Sequence, residues 1–159
     1  MSIVAGATVP EGTLTHMTAD GPRPITTQEL FAGKKVVVFG VPGAFTPTCS
    51  RQHLPGYVQA CDAIKAKGID TIACLAVNDV HVMHAWGEAS GATGKVLMLA
   101  DGNGVYAKAL GLDTDLSAFG MGVRSKRFSM VVDNGVVTEV NVEAAPGVSV
   151  SGAQATCRL

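Results

Sequence analysis

Residues Val36–Val41 carry no polar side chain, and four of the six are valine. The run is short, β-branched and apolar on both faces, so it predicts a central strand that must be covered from two sides. Immediately after it, Pro42, Gly43 and Pro47 fall within six residues, which excludes regular structure there. The chain must therefore build at least three layers around a strand that ends in a stiff loop. Its 159 residues suit one domain, residues 1–159. Charged residues make up 16% and apolar ones 47%, a balance that argues against disorder. Clean apolar runs such as Val36–Val41 fall far below the roughly 20 residues of a membrane span. Net charge is −1, and Arg124-Ser125-Lys126-Arg127 is the densest basic patch, which excludes nucleic-acid binding as the main function. The first 25 residues hold no basic stretch followed by an apolar one, so the expected location is cytoplasmic.

The remaining elements follow from periodicity. Residues 1–25 are turn-rich, with a short strand at Thr13–Met17. Thr26 or Thr27 with Glu29 caps a one-turn helix that ends at Gly33. A helix starts at Thr48, with Leu54, Val58, Cys61 and Ile64 on one face, and Pro55 should kink it. Ile69–Val77 and Val96–Ala100 read as strands, Val80–Ala89 and Asn103–Gly111 as helices. Phe128–Val132 and Val136–Val142 flank Asp133-Asn134-Gly135 and predict a β-hairpin. From Ser149 the tail has some helical character. The order predicts an α/β fold in which a central mixed sheet is flanked by helices, the layout of thioredoxin-like folds.

Of the four cysteines, Cys49 follows the stiff loop and opens a helix. The unpaired N–H groups and positive end of a helix favour thiolate over thiol. Thr46 can place a hydroxyl beside the sulfur, and Phe45 can exclude water. The alternative is a small apolar residue at a helix start with Thr46 as its cap. No C-x-x-C pair exists, which argues against both a structural zinc site and a dithiol oxidoreductase. His81 and His84 share a helical face but lack partner ligands, so they read as surface residues and no metal is expected. Cys61 lies twelve residues past Cys49 on the same helix, about 18 Å along its axis. A disulfide needs Cα atoms within about 7 Å, so Cys61 reads as core filler.

The stretch Pro42-Gly43-Ala44-Phe45-Thr46-Pro47-Thr48-Cys49-Ser50 resembles the active-site loop of peroxiredoxins. Its continuation through Tyr57, together with Ile72–Asp79, Trp86-Gly87 and Ser125–Ser129, is similar to the type II, peroxiredoxin-5-like members. The resemblance runs roughly from Val9 to Val142. It implies a thioredoxin-like fold and peroxide reduction without metal or organic cofactor. Pro42, Thr46, Cys49 and Arg127 match the four catalytic positions of the family. By residue type, Cys49 would attack the peroxide and become a sulfenic acid, and Thr46 would orient it. Arg127 would stabilise negative charge, and Pro42 would shield the sulfur. Arg124 competes with Arg127, but three residues apart on one strand means opposite faces, so Arg124 reads as a solvated hairpin edge. His53, four residues past Cys49, either contacts the thiolate region or only packs there.

The sulfenic acid needs a second thiol. Cys74 stands where plant-like type II members carry their second cysteine, and a buried filler is its other reading. Cys157 lies in the tail, where chains tend to be mobile. In animal-type members the resolving cysteine comes several residues earlier, near Ser151 here. The expected reductant is therefore external, either glutaredoxin with glutathione or thioredoxin. A peroxide sensor using the same cysteine is the alternative to a scavenger. The resemblance also implies a homodimer built beside the active-site loop, with Phe45 and Phe119 as contacts.

Overall fold

Val36–Val41 forms the heart of strand β3, Lys35–Val41. The computed structural model describes residues 1–157. Parallel to β3 runs β4, Thr71–Ala76, and next to that β5, Leu97–Ala100. On its other side β3 pairs antiparallel with β8, Phe128–Asp133, which continues through Asn134-Gly135 into β9, Val136–Val142. Asn134 and Gly135 both have positive φ, 47° and 82°, as a tight hairpin turn requires. The sheet is completed by β1, Thr13–Thr18, and β2, Gly21–Thr26, to give the order β2-β1-β5-β4-β3-β8-β9.

Alternation along β3 assigns its two faces. Val37, Phe39 and Val41 join a cluster with Leu54, Tyr57, Cys61 and Ile64 of helix α2 (Leu54–Lys65) and Met83 and Trp86 of α3 (Val80–Ala89). Val36 and Val38 join the opposite cluster, with Leu30 and Phe31 of α1 (Thr27–Phe31) and Tyr106 of α4 (Val105–Ala109). Successive side chains point to opposite faces, so one valine-rich strand seeds both cores. Gly40 is required by packing: a Cβ there would lie 2.0 Å from Cε1 of Phe128.

The mixed sheet with helices on both faces is the thioredoxin-like layout expected. An edge strand and a small ladder depart from the expectation. The Pro-rich segment read as turns is strand β2. It lies at the sheet edge, where Pro22 and Pro24 need not donate to a further strand. A small ladder of β6 (Asp113–Asp115) and β7 (Val123–Ser125) was not foreseen, because each strand is only three residues long. The tail forms helix α5, Ala153–Thr156, in line with the helical character expected from Ser149, and it packs on α2. Among the described residues no helix is long and apolar enough to cross a membrane.

Candidate active site

Where β3 ends, the chain turns sharply through Pro42–Pro47. Phe45 takes a left-handed conformation, φ 62°, which a bulky residue holds only when its surroundings compel it. The compulsion is visible. The Ala44 N–H donates to Asn78 Oδ1 at 2.9 Å, tying the loop to the end of β4. The Thr46 hydroxyl donates to the Gly43 carbonyl at 2.7 Å. A Cβ on Gly43 would meet Thr46 Cγ2 at 3.1 Å and Arg124 Nη1 at 3.3 Å, so the loop closes tightly on itself here.

Cys49 is fully buried at the start of a π-helical turn, Cys49–His53, that leads into α2. The Leu54 N–H reaches back five residues to the Cys49 carbonyl. An α-helix from Thr48 was expected. The wider turn comes immediately before Pro55, which lacks a donor and crowds the carbonyl four residues back. Beside the cysteine, Trp86 Nε1 donates to Ser50 Oγ at 3.0 Å.

Arg127 arrives from the segment between β7 and β8. Its Nη2 donates to Cys49 Sγ at 3.1 Å and its Nη1 to His53 Nδ1 at 3.1 Å. His53 is buried, and its Nε2 lies 2.9 Å from the Ser151 carbonyl. A carbonyl only accepts and a guanidinium only donates, so His53 carries one proton, on Nε2. Burial pushes its pKa down to about 4; Arg127 adds to this, while Ser151 and Glu143 oppose it. The imidazole is thus neutral at pH 7. Tyr57 stacks on Phe39 with centroids 4.0 Å apart and donates its hydroxyl to the same Ser151 carbonyl at 2.8 Å. Burial raises the Tyr57 phenol to about 12.

A phosphate cradle and a paired metal-ligand set do not describe this arrangement. A buried thiol, a guanidinium on its sulfur and a rigid loop describe a thiol-based redox centre. The redoxin family pattern matches residues 4–156. Peroxiredoxin-2C of Oryza sativa subsp. japonica is 47% identical, over 96% of this chain and 94% of that protein.

The chain belongs to the type II peroxiredoxins of the redoxin family.

Among solved structures, reduced Prx3 of Vibrio vulnificus in complex with H2O2 superposes with TM-score 0.94 at 53% identity, covering 98% of each chain. The Plasmodium falciparum antioxidant protein, a 1-Cys peroxiredoxin, superposes with TM-score 0.84 at 31% identity, covering 91% of this chain and 87% of that one.

In this peroxiredoxin, Pro42, Thr46, Cys49 and Arg127 come together at one end of β3 although 85 residues separate the first from the last. Arg124 is not the solvated edge expected of it. β7 stops at Ser125, so strand alternation does not carry through to Arg127. Half-buried Arg124 donates to the Met121 carbonyl at 2.8 Å and the Val77 carbonyl at 3.3 Å, bracing the loop from outside. Cys61 is core, its thiol 3.5 Å from the Lys95 carbonyl. Cys74 faces the same core as Cys49. Burial drives its pKa well above the ordinary value, with Cys49 adding to the effect and Arg127 opposing it. Cys157 is not on a loose tail. It ends α5 half-buried against the core, on the wall of a cleft shared with Gln52, Gly56 and Ala60, and its carbonyl accepts from Lys67 Nζ. All four cysteines are free thiols.

Sequence reasoning missed Glu143, Ser151 and Tyr57. Tyr57 could have been found from its four-residue spacing to His53, which places both on one helical face. Glu143 carried no comparable local signal.

Proposed function

We propose that this peroxiredoxin reduces hydrogen peroxide and organic hydroperoxides through a sulfenic acid on Cys49. The 3.1 Å contact from Arg127 to the Cys49 sulfur carries the reading. The Vibrio relative crystallised with H2O2 supports hydrogen peroxide as one substrate. The Thr46 proton is committed to the Gly43 carbonyl, which leaves the hydroxyl lone pairs to accept from a peroxide O–H. The Cys49 thiolate attacks one peroxide oxygen. An S–O bond forms, the O–O bond breaks, and hydroxide or alkoxide leaves to take up a proton. Sulfur is oxidised by two electrons and the peroxide is reduced to water or alcohol. Arg127 offers donors both to the attacking sulfur and to the charge that develops on the leaving oxygen. Pro42 walls the site and gives up no donor to compete.

An external thiol recycles the enzyme: glutaredoxin with glutathione, or thioredoxin. Cys74 is fully buried, Cys157 is half-buried on the wall of a cleft between α2 and α5, and neither is bonded to Cys49. Cys74 is the preferred internal resolver if the start of the helix unwinds. The functional unit is a homodimer joined beside the loop, where Phe45 is 55% and Phe119 78% exposed. A light-scattering mass of one chain at micromolar concentration would refute the dimer.

Intact-mass measurement after one equivalent of peroxide tests the recycling route. The expected product is a gain of one oxygen, or a mixed disulfide once glutathione is added. A quantitative Cys49–Cys157 disulfide would overturn it. NADPH-coupled consumption with each reductant side by side then identifies the electron donor, and single-turnover oxidation with neither would favour a peroxide sensor.

A further inference from the structure

We propose that the tail segment Ser149–Ser151 sets the aim of the active-site arginine: Glu143 clamps the segment, its Ser151 carbonyl fixes His53, and His53 acts as a positioning residue for Arg127. The inference rests on the reading of Cys49 as the peroxide-reactive thiol.

The contacts form a closed circuit. The Glu143 carboxylate accepts from the Ser149 N–H at 2.9 Å and its hydroxyl at 2.6 Å, and from the Val150 N–H at 2.9 Å. It also accepts from the Ser151 N–H at 2.8 Å and hydroxyl at 2.6 Å. The Ser151 carbonyl then accepts from both His53 Nε2 and the Tyr57 hydroxyl. Because that Tyr57 proton is spent, its oxygen accepts from the Thr156 hydroxyl at 3.0 Å, which ties α5 into the same group. His53 Nδ1 takes Arg127 Nη1, leaving Nη2 directed at the sulfur. Finally the Glu143 N–H donates to the Arg127 carbonyl at 3.0 Å. Arg127 is thus held twice by the same glutamate, through its backbone directly and through its side chain by way of the tail.

The circuit works only with a neutral His53. A protonated ring would have no lone pair for Nη1 and would set two cations 3.1 Å apart. Burial against Phe39 and Tyr57 keeps the ring neutral and still, with centroids 4.9 and 5.7 Å away. An arginine has four rotatable bonds, so a fixed acceptor at its far end removes the freedom that would let the fork drift from the sulfur. Two donors of one planar group are then placed by one acceptor.

A double-mutant cycle tests this against a purely structural role. The second-order rate of Cys49 oxidation by H2O2 is followed by fluorescence of Trp86, the one tryptophan, bonded to Ser50 next to the reacting cysteine. His53→Leu should slow oxidation on the order of 10- to 100-fold, the rate equivalent of one hydrogen bond to a charged group. His53→Asn keeps an acceptor near the Nδ1 position and should recover most of that loss. Glu143→Gln weakens the clamp and should slow the reaction by about three- to tenfold. In an Arg127→Ala background both His53→Leu and Glu143→Gln should have almost no further effect. Equal losses in both backgrounds would overturn the proposal, as would a wild-type rate for His53→Leu or for Glu143→Gln. A wild-type protein inert toward peroxide would instead refute the peroxidase reading and the inference with it.

Discussion

His53 should make this fold acid-sensitive in a pH range where its carboxylates contribute little. The ring titrates near 6.5 in an unfolded chain and at about 4 when folded, chiefly because burial disfavours the cation. A depressed value means that the unfolded chain takes up the proton first. Stability from this group is complete above about pH 6.5 and is lost as pH falls toward 4. Between pH 7.5 and 5 the linkage amounts to about 2 kcal/mol, a large part of the 5–15 kcal/mol that holds a typical domain. Urea unfolding of the reduced protein at several pH values measures it, and the midpoint should fall by about 1 M over that range. His53→Asn removes the titration and should flatten the curve, whatever its own cost in stability. The other three histidines are common to both proteins and cancel in the difference. Glu143 lies lower: burial works against its charge, but bonds from Ser149 and Ser151 outweigh that and hold it near 2. It therefore adds little above pH 5. Parallel stability curves for the two proteins would refute the argument.

Three further outcomes are expected. Arg127→Lys keeps the charge but loses the planar fork whose two nitrogens span Cys49 and His53, so the peroxide rate should fall at least tenfold in stopped-flow oxidation. Thr46→Val is close in shape but loses both the turn bond to Gly43 and the acceptor for peroxide; the rate should drop by about 10- to 100-fold, and stability by about 1 kcal/mol in denaturant unfolding. Gly40→Ala forces a methyl into the Phe128 ring and should destabilise the protein by about 1–3 kcal/mol in denaturant unfolding, with Cys49 chemistry intact in whatever remains folded.

What could be read along the chain was whatever depends on neighbours in sequence. Val36–Val41 announced a two-faced strand because alternation and β-branching are local properties. Asn134-Gly135 announced its turn because only a few residues tolerate positive φ in succession. The Pro42–Pro47 loop and the cysteine behind it stood out for the same reason. Local reasoning failed where tertiary placement overrules composition. Pro22 and Pro24 sit in a strand because that strand lies at the sheet edge. Arg124 is packed because β7 ends one residue after it. Cys157 is half-buried because α5 packs on α2.

Reading along the chain was enough to single out Cys49, the loop that precedes it and the central strand that leads into both. It could not determine how Arg127 is aimed. That needs His53 from the end of a π turn, Ser151 from 98 residues further on, and Glu143 from the end of β9. No local pattern links these residues. They meet because β8 and β9 extend the sheet beside β3 and the tail folds back over α2, which brings one acceptor, one neutral imidazole and one guanidinium into a single hydrogen-bonded ring. Only folding supplies that proximity, together with the burial that keeps His53 neutral.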